Sequence, residues 1–159
     1  MEQGTDQGRD AVYDIIASAR GESQLLRQLR DALANQRSGV ANGDPEAIEL
    51  ASRAVANTVL TLDAARRRRE DLLRVVSAGR PVRLDTLEQF TGQVAGLAEA
   101  RAQLRAEAEG VINDLSLTQD VLQGAMHAGS AYLQALFSSV VSTTPSYGDR
   151  RGAPSAQTM

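Results

Sequence analysis

Between positions 97 and 140, apolar residues recur in steps of three, four or seven, and this pattern limits how the rest of the chain can pack. On an α-helix such spacing gathers the apolar side chains into one stripe. A helix of that length is not stabilised by propensity alone, so it must pack lengthwise on other helices. The sequence therefore predicts an all-α fold, an elongated up-and-down antiparallel helical bundle with long first, second and last helices.

Two earlier segments show the same spacing and supply the packing partners. The first helix is predicted over about residues 9–40, and Gly21 within it allows a kink or a separate short helix. An asparagine–glycine pair ends that segment. Asp44 and Pro45 then form a typical N-cap and first-turn proline, so a second helix is predicted over about residues 45–77.

A shorter third helix is predicted before the last one. Asp85 and Glu88 have the spacing of a capping box, and Leu87 and Phe90 follow the helical period. Glycines at positions 92 and 96 leave the end of this helix open.

The remaining composition fits a single helical domain and narrows the classes of function. We expect one bundle domain over residues 9–147, with disordered ends at 1–8 and 148–159 that lack apolar spacing. Aromatic residues make up 3% and cysteine is absent, which disfavours strands and leaves no thiolate chemistry. The net charge of −3 gives no reason to expect nucleic acid or an anionic membrane as partner, and no membrane insertion is predicted.

Catalytic chemistry finds little support in the residue pattern. His127 is the single histidine, and no readable spacing places a nucleophile or an orienting acid beside it. Phosphate-binding glycine loops and the HExxH motif are not present. We therefore expect no enzyme activity, no metal site and no cofactor, and we interpret His127 as a surface or partly buried helical residue.

Four consecutive arginines at positions 66–69 suggest a nucleic-acid patch at first sight. Consecutive helical residues point about 100° apart, however, and do not form one stripe. Asp63, Glu70 and Asp71 lie four positions from members of the run, the spacing of helical ion pairs. We expect a solvated, ion-paired face, with docking of an acidic patch on a partner as the alternative.

The C-terminal end of the last helix carries more apolar surface than one bundle contact needs. Either residues 33–40 and the start of the second helix pack there, or part of this surface is exposed for a partner. Pro145 and Gly148 end the helix and would let Tyr147 fold back against that surface or against a bound helix. The predicted partner-binding residues are Tyr132, Leu133, Leu136, Phe137, Val140, Val141 and Tyr147.

The stretch SGVANGDPEAIELAS, residues 38–52, lies between a long leading helix and an arginine- and glutamate-rich one. This arrangement resembles the FlgN family of flagellar export chaperones. The Gly43-Asp44 turn and the acidic-apolar helix start that follows it match that family. Tyr147-Gly148-Asp149, with Gly152, matches its closing element, and the resemblance covers about residues 20–152.

The resemblance implies a cytoplasmic type III export chaperone. Its partners would be hook-associated proteins of the FlgK and FlgL kind, bound by their C-terminal helical segments, and components of the export apparatus. Client binding toward the C-terminal end of the chain is part of what the resemblance implies, and a homodimer is compatible with it. Two other hypotheses stay open, a self-associating coiled-coil structural or regulatory protein and another secretion chaperone.

Overall fold

The structure is a computed structural model that describes the backbone of residues 3–142 and the side chains of residues 8–141. Within these residues the α-helices are α1 (Gln3–Asn42), α2 (Pro45–Val76), α3 (Glu88–Thr91) and α4 (Leu97–Ser142), and a 3-10 turn covers Leu84–Thr86. The described residues contain no strand. The chain divides into two compact units, Met1–Gln123 and Gly124–Met159. The predicted all-α helical bundle is confirmed.

In the first unit, α1 contacts both α2 and α4. Arg69 of α2 binds Glu22 of α1, whereas Ser52 near the start of α2 binds Gln36 near the end of α1, so these two helices are antiparallel. Arg27 binds Glu107 and Arg37 binds Thr118, so α1 and α4 run in the same direction. The three long helices therefore run up, down and up.

Both clusters of buried apolar side chains in the described residues follow α1. The larger cluster joins α1 to the end of α2, to the start of α4 and to the connecting segment between them, residues 77–96. It consists of Val12, Ile15, Ile16, Ala19, Leu73, Leu84, Leu87, Leu97 and Ala100. The second cluster consists of Leu29, Leu33 and Val111, with Leu26, Val55 and Leu62 packed against it. The apolar stripe of α1 therefore contributes to both buried clusters of the first unit.

The turn between α1 and α2 forms as the sequence predicts. The Asp44 carboxylate accepts a hydrogen bond from the amide of Ala47 at 3.0 Å, and Pro45 occupies the first helical position. Gly43 has φ +62°, which a glycine adopts without strain. A Cβ on Gly39 would lie 3.0 Å from Ile48, so this glycine lets the two helices approach closely at the turn.

Two local predictions differ from the structure. Residues 3–8, predicted to belong to a disordered end, are part of α1, which begins at Gln3; at Gly21, where the sequence leaves a kink open, α1 is one continuous helix. The predicted capping box at Asp85 is wrong. Asp85 lies in the 3-10 turn and accepts a hydrogen bond from Arg105 at 3.1 Å, and α3 begins at Glu88 without a side-chain cap. The predicted tail, residues 148–159, lies outside the described residues.

Candidate partner-binding surface

Six of the seven predicted partner-binding residues lie on the last turns of α4, in the second compact unit. The exposed fractions of their side chains are between about half and three quarters: Tyr132 68%, Leu133 52%, Leu136 47%, Phe137 67%, Val140 61% and Val141 71%. The seventh, Tyr147, lies outside the described residues.

These six residues form two adjacent rows on the helix. Tyr132, Leu136 and Val140 are spaced four apart, and each is followed by an apolar neighbour in a second row of the same spacing. At 100° per residue the two rows cover about half of the helix circumference. The opposite half carries small or polar residues such as Gln134, Ala135 and Ser138. This segment is therefore amphipathic without being charged.

The absence of charge extends through the whole segment. No aspartate, glutamate, lysine or arginine occurs between Asp120 and Asp149. A surface of this kind loses little electrostatic hydration on contact, and its attraction for a partner comes from apolar area rather than ion pairing. It therefore suits an apolar helical partner better than a polyanion.

Leu33 and Leu50 belong to the segments that the sequence offers as a cover for this surface. Leu33 packs with Leu29 and Val111 in the first unit, and Leu50, near the start of α2, is 72% exposed. All described side chains over residues 124–141 are exposed. The described side chains thus agree with an exposed surface, and its use in partner binding stays a prediction.

The arginine run at 66–69 has two different roles. Arg66 pairs with Glu70 at 3.1 Å and Arg67 with Asp63 at 2.8 Å, as the spacing predicts. Asp71 pairs with Arg74 instead of a member of the run. Arg69 was wrongly assigned to the solvated face, because its side chain turns inward and binds Glu22 of α1 at 2.6 and 3.2 Å.

A ladder of charged residues joins α1 to α4 over the same stretch of the two helices as the second core cluster. Arg30 donates to Asp114 at 2.7 Å and to Glu107 at 3.3 Å, and Arg27 donates to Glu107 at 2.7 Å. Arg37 donates to Thr118 at 2.8 Å and pairs with Asp114. The hydrogen bond to Asp114, followed by that to Glu107, raises the pKa of Arg30.

Glu107 and Asp114 are not fully solvated carboxylates of a helix face. Both lie in the interface, where their side chains are only 16% and 20% exposed. They are seven residues apart, as are Arg30 and Arg37, so each helix presents its charges on one face at the heptad repeat. This shared seven-residue spacing is the feature of the sequence from which the ladder could have been predicted.

A groove follows the seam between α2 and α4, and we call it the α2–α4 groove. It consists of two adjoining cavities of about 370 and 440 Å³, and a third of about 390 Å³ continues from them between the end of α2 and the connecting segment. Its floor is apolar, formed by Leu26 of α1 together with Leu62, Leu73, Val82, Leu104 and Ala108. Its rim carries arginines from α2, the connecting segment and α4: Arg66, Arg69, Arg83, Arg101 and Arg105.

A second concavity of about 590 Å³ lies between α1 and α2. Its walls are mostly small side chains, including Ala17, Gly21, Ala64 and Ala65, and Asp14 and Arg68 lie at its margins. Small side chains of this kind provide shape but no specific ligand chemistry.

A metal-binding cluster is not found in the part of the chain that the structure describes. His127 is exposed on α4, in agreement with its predicted surface position. Within residues 8–141 no three histidine or carboxylate side chains come together as a metal site would require. The helices of the described region include none that is long and apolar enough to cross a membrane.

Comparison of the chain with protein-family models, with curated proteins and with solved structures gave no match.

Proposed function

We propose that this chain is a flagellar export chaperone of the FlgN type. In the cytoplasm it would bind the C-terminal helical segments of FlgK- and FlgL-like junction proteins, prevent their premature assembly and deliver them to the type III export apparatus. The observation that carries the proposal is the exposed, uncharged apolar half of α4 over residues 132–141. The sequence resemblance over residues 20–152 supports the same function.

Client capture follows from the physical character of this surface. An amphipathic client helix lays its apolar face against the two rows of α4, with anchors at helical spacing. Fully burying one leucine- or phenylalanine-sized side chain contributes about 1.5–3 kcal/mol, so a few such contacts are enough for reversible binding. The client's own apolar stripe is covered at the same time and no longer available for aggregation. This binding step needs neither nucleotide nor metal.

The decisive experiment replaces two central residues of the surface. Leu136→Asp with Phe137→Asp should abolish capture of a FlgK- or FlgL-like C-terminal peptide, because anchors in well-packed interfaces contribute about 2 kcal/mol or more each. Helicity, measured by circular dichroism, should stay nearly unchanged, since both side chains are exposed. Binding is measured by fluorescence anisotropy with the labelled peptide.

A matched control uses exposed leucines of the first unit. Leu50 and Leu60 of α2 are 72% and 71% exposed, and Leu50→Asp with Leu60→Asp should leave peptide capture intact. Undiminished capture by the folded Leu136→Asp/Phe137→Asp variant would refute the proposed surface.

Self-association is the second candidate function, and the helical spacing of Met126, Leu133, Leu136 and Val140 favours it. Light scattering separates the two. A chaperone changes mass when the client peptide is added, whereas a coiled-coil scaffold is already a stable oligomer and loses that state in the double-aspartate variant.

A further inference from the structure

The up-down-up arrangement of the first unit leaves one of its seams open. α1 is joined to α2 by the Glu22–Arg69 pair and to α4 by the charged ladder. In contrast, no hydrogen bond or ion pair joins a described side chain of α2 to one in residues 97–123 of α4. The α2–α4 groove occupies this seam.

The floor of the groove has the dimensions of a helix-binding site. On α2 it extends from Leu62 to Leu73, a rise of about 16 Å, which corresponds to about three helical turns. Leu62 and Leu104 are only half-buried there, so their outer surfaces are still available for apolar contact. A further helix laid along this floor would cover them, as the fourth helix of a bundle does.

The rim of the groove carries a small excess of positive charge. Five arginines line the cavities of about 370 and 440 Å³, against the carboxylates of Glu22, Asp63, Glu70 and Asp85, and Arg101 also pairs with Glu88 at 3.7 Å. Arg83 and Arg105 share Asp85 as their carboxylate partner, at 3.8 and 3.1 Å. Their side chains are 84% and 64% exposed, so both guanidinium groups keep donors available for a second anion.

We propose that the α2–α4 groove is a docking site for an acidic amphipathic helix of a partner protein. The leucine-type side chains of that helix pack on Leu62, Leu104 and Ala108, and carboxylates on its flanks pair with Arg83 and Arg105. This site uses none of the predicted client-binding residues on α4. Its existence is independent of the proposed chaperone function.

The apolar floor favours a protein helix over a nucleic acid. Phosphate groups would use only the rim arginines and leave the leucine floor without a matching surface. An acidic amphipathic helix contacts both the rim arginines and the leucine floor. Its carboxylates set the orientation and the association rate, and its apolar side chains provide most of the affinity.

The test uses the full chain and a labelled helical peptide with leucine at its a and d positions and glutamate at its e and g positions. A peptide with lysine in place of each glutamate is the comparison probe. The glutamate peptide should bind, the lysine peptide should not, and added salt should weaken the binding. Reversing two rim charges, Arg83→Glu with Arg105→Glu, should weaken binding of the glutamate peptide about tenfold or more.

Arg53→Glu is the control, because this α2 arginine is similarly exposed, at 73%, and neither it nor its partner Glu49 lines the groove. It should change the affinity less than about twofold. If circular dichroism shows that the rim-reversed chain does not fold, Arg83→Gln with Arg105→Gln replaces it, with a smaller loss expected.

Several outcomes overturn the proposal. The first is that the glutamate peptide does not bind. The second is that the control variant loses as much affinity for it as the rim-reversed variant. The third is that short duplex DNA displaces the peptide at a lower concentration than unlabelled peptide does. Glutamate-peptide binding that persists in the Leu136→Asp/Phe137→Asp chain supports the groove. Its loss in that chain assigns the peptide to the α4 surface instead and overturns the groove.

Discussion

Glu22 occupies a position on α1 that the helical period assigns to the core, seven residues after Ile15 and seven before Leu29. Its side chain is only 6% exposed and binds Arg69, which is 17% exposed. The pair therefore places a carboxylate and a guanidinium group in contact between two helices. Such a pair contributes little net stability, but removing one partner leaves the other uncompensated.

Glu22→Ala should lower the free energy of unfolding by about 3 kcal/mol, the low end for breaking a buried pair, because Arg69 retains some access to water. Chemical denaturation measures the change. Glu49→Ala, which breaks the exposed Glu49–Arg53 pair, should cost less than about 1 kcal/mol. Equal effects of the two substitutions would show that Glu22 is not a buried partner in solution.

Glu107 should make the stability of the chain depend on acid pH. The hydrogen bond from Arg27 lowers the pKa of Glu107 below its ordinary value of 4.5, burial opposes this in part, and the hydrogen bond from Arg30 lowers the pKa further. Because the folded-state pKa is lowered, the stabilisation is present above the ordinary value and is lost as pH falls through the folded-state value.

The corresponding variant is Glu107→Gln. The difference in unfolding free energy between the wild type and this variant should be constant near neutral pH and shrink as the solution is acidified below about pH 4.5. Denaturation midpoints measured over a pH series test this. A difference that grows on acidification would mean that the carboxyl is stabilised in its protonated form.

At the scale of the helices, two glycines within α1 and α4 have opposite surroundings. A Cβ on Gly21 would meet no atom within 4 Å, whereas one on Gly110 would lie 2.7 Å from the Arg30 guanidinium. Gly21→Ala should therefore raise stability by about 0.5–1 kcal/mol through helix propensity. Gly110→Ala should gain less or lose stability, because Arg30 must move from Asp114. Thermal unfolding of both variants provides the comparison, and an equal gain would contradict the close approach of Arg30.

A local chemical signal in the sequence correctly predicts where α2 begins, but the same kind of signal fails at α3. Asp44 and Pro45 fix the start of α2 through a cap and a preset backbone angle, and the structure has both. Asp85 and Glu88 carry an equally good local signal, yet the structure places no cap there. Arg105, distant in sequence, binds the Asp85 carboxylate, and local spacing holds no information about that contact.

For the candidate surface too, the sequence predicts the local pattern of residues but not the contacts made by distant parts of the chain. The apolar rows on α4 are visible in the spacing of Leu133, Leu136 and Val140, but spacing cannot say whether another helix covers them. Arg69 illustrates the reverse case, a charged residue that looks solvated in sequence and is buried by its pairing with Glu22. The seven-residue spacing of arginines on α1 and of carboxylates on α4 predicts ion pairs only when the two helices are known to lie side by side.

At the scale of the whole molecule, the two compact units predict that the first unit folds without the second. All described side chains over residues 124–141 are exposed, so a chain ending at Gln123 loses no buried residue from that segment. Its thermal midpoint should shift by less than about 4 °C, the change that about 1 kcal/mol produces in a domain of this size. A larger fall in the midpoint measured by calorimetry would show that the second unit stabilises the first.

The short turn at Gly43 and Asp44 has a consequence for the order of folding. α1 and α2 are adjacent in sequence, so they close a small loop when they pair, whereas α4 meets α1 only across about eighty residues. During synthesis we expect the α1–α2 hairpin to form while α4 is still inside the ribosome. Until Val111 arrives, Leu29 and Leu33 lack their α4 contact, and the nascent hairpin is the state most exposed to misassembly.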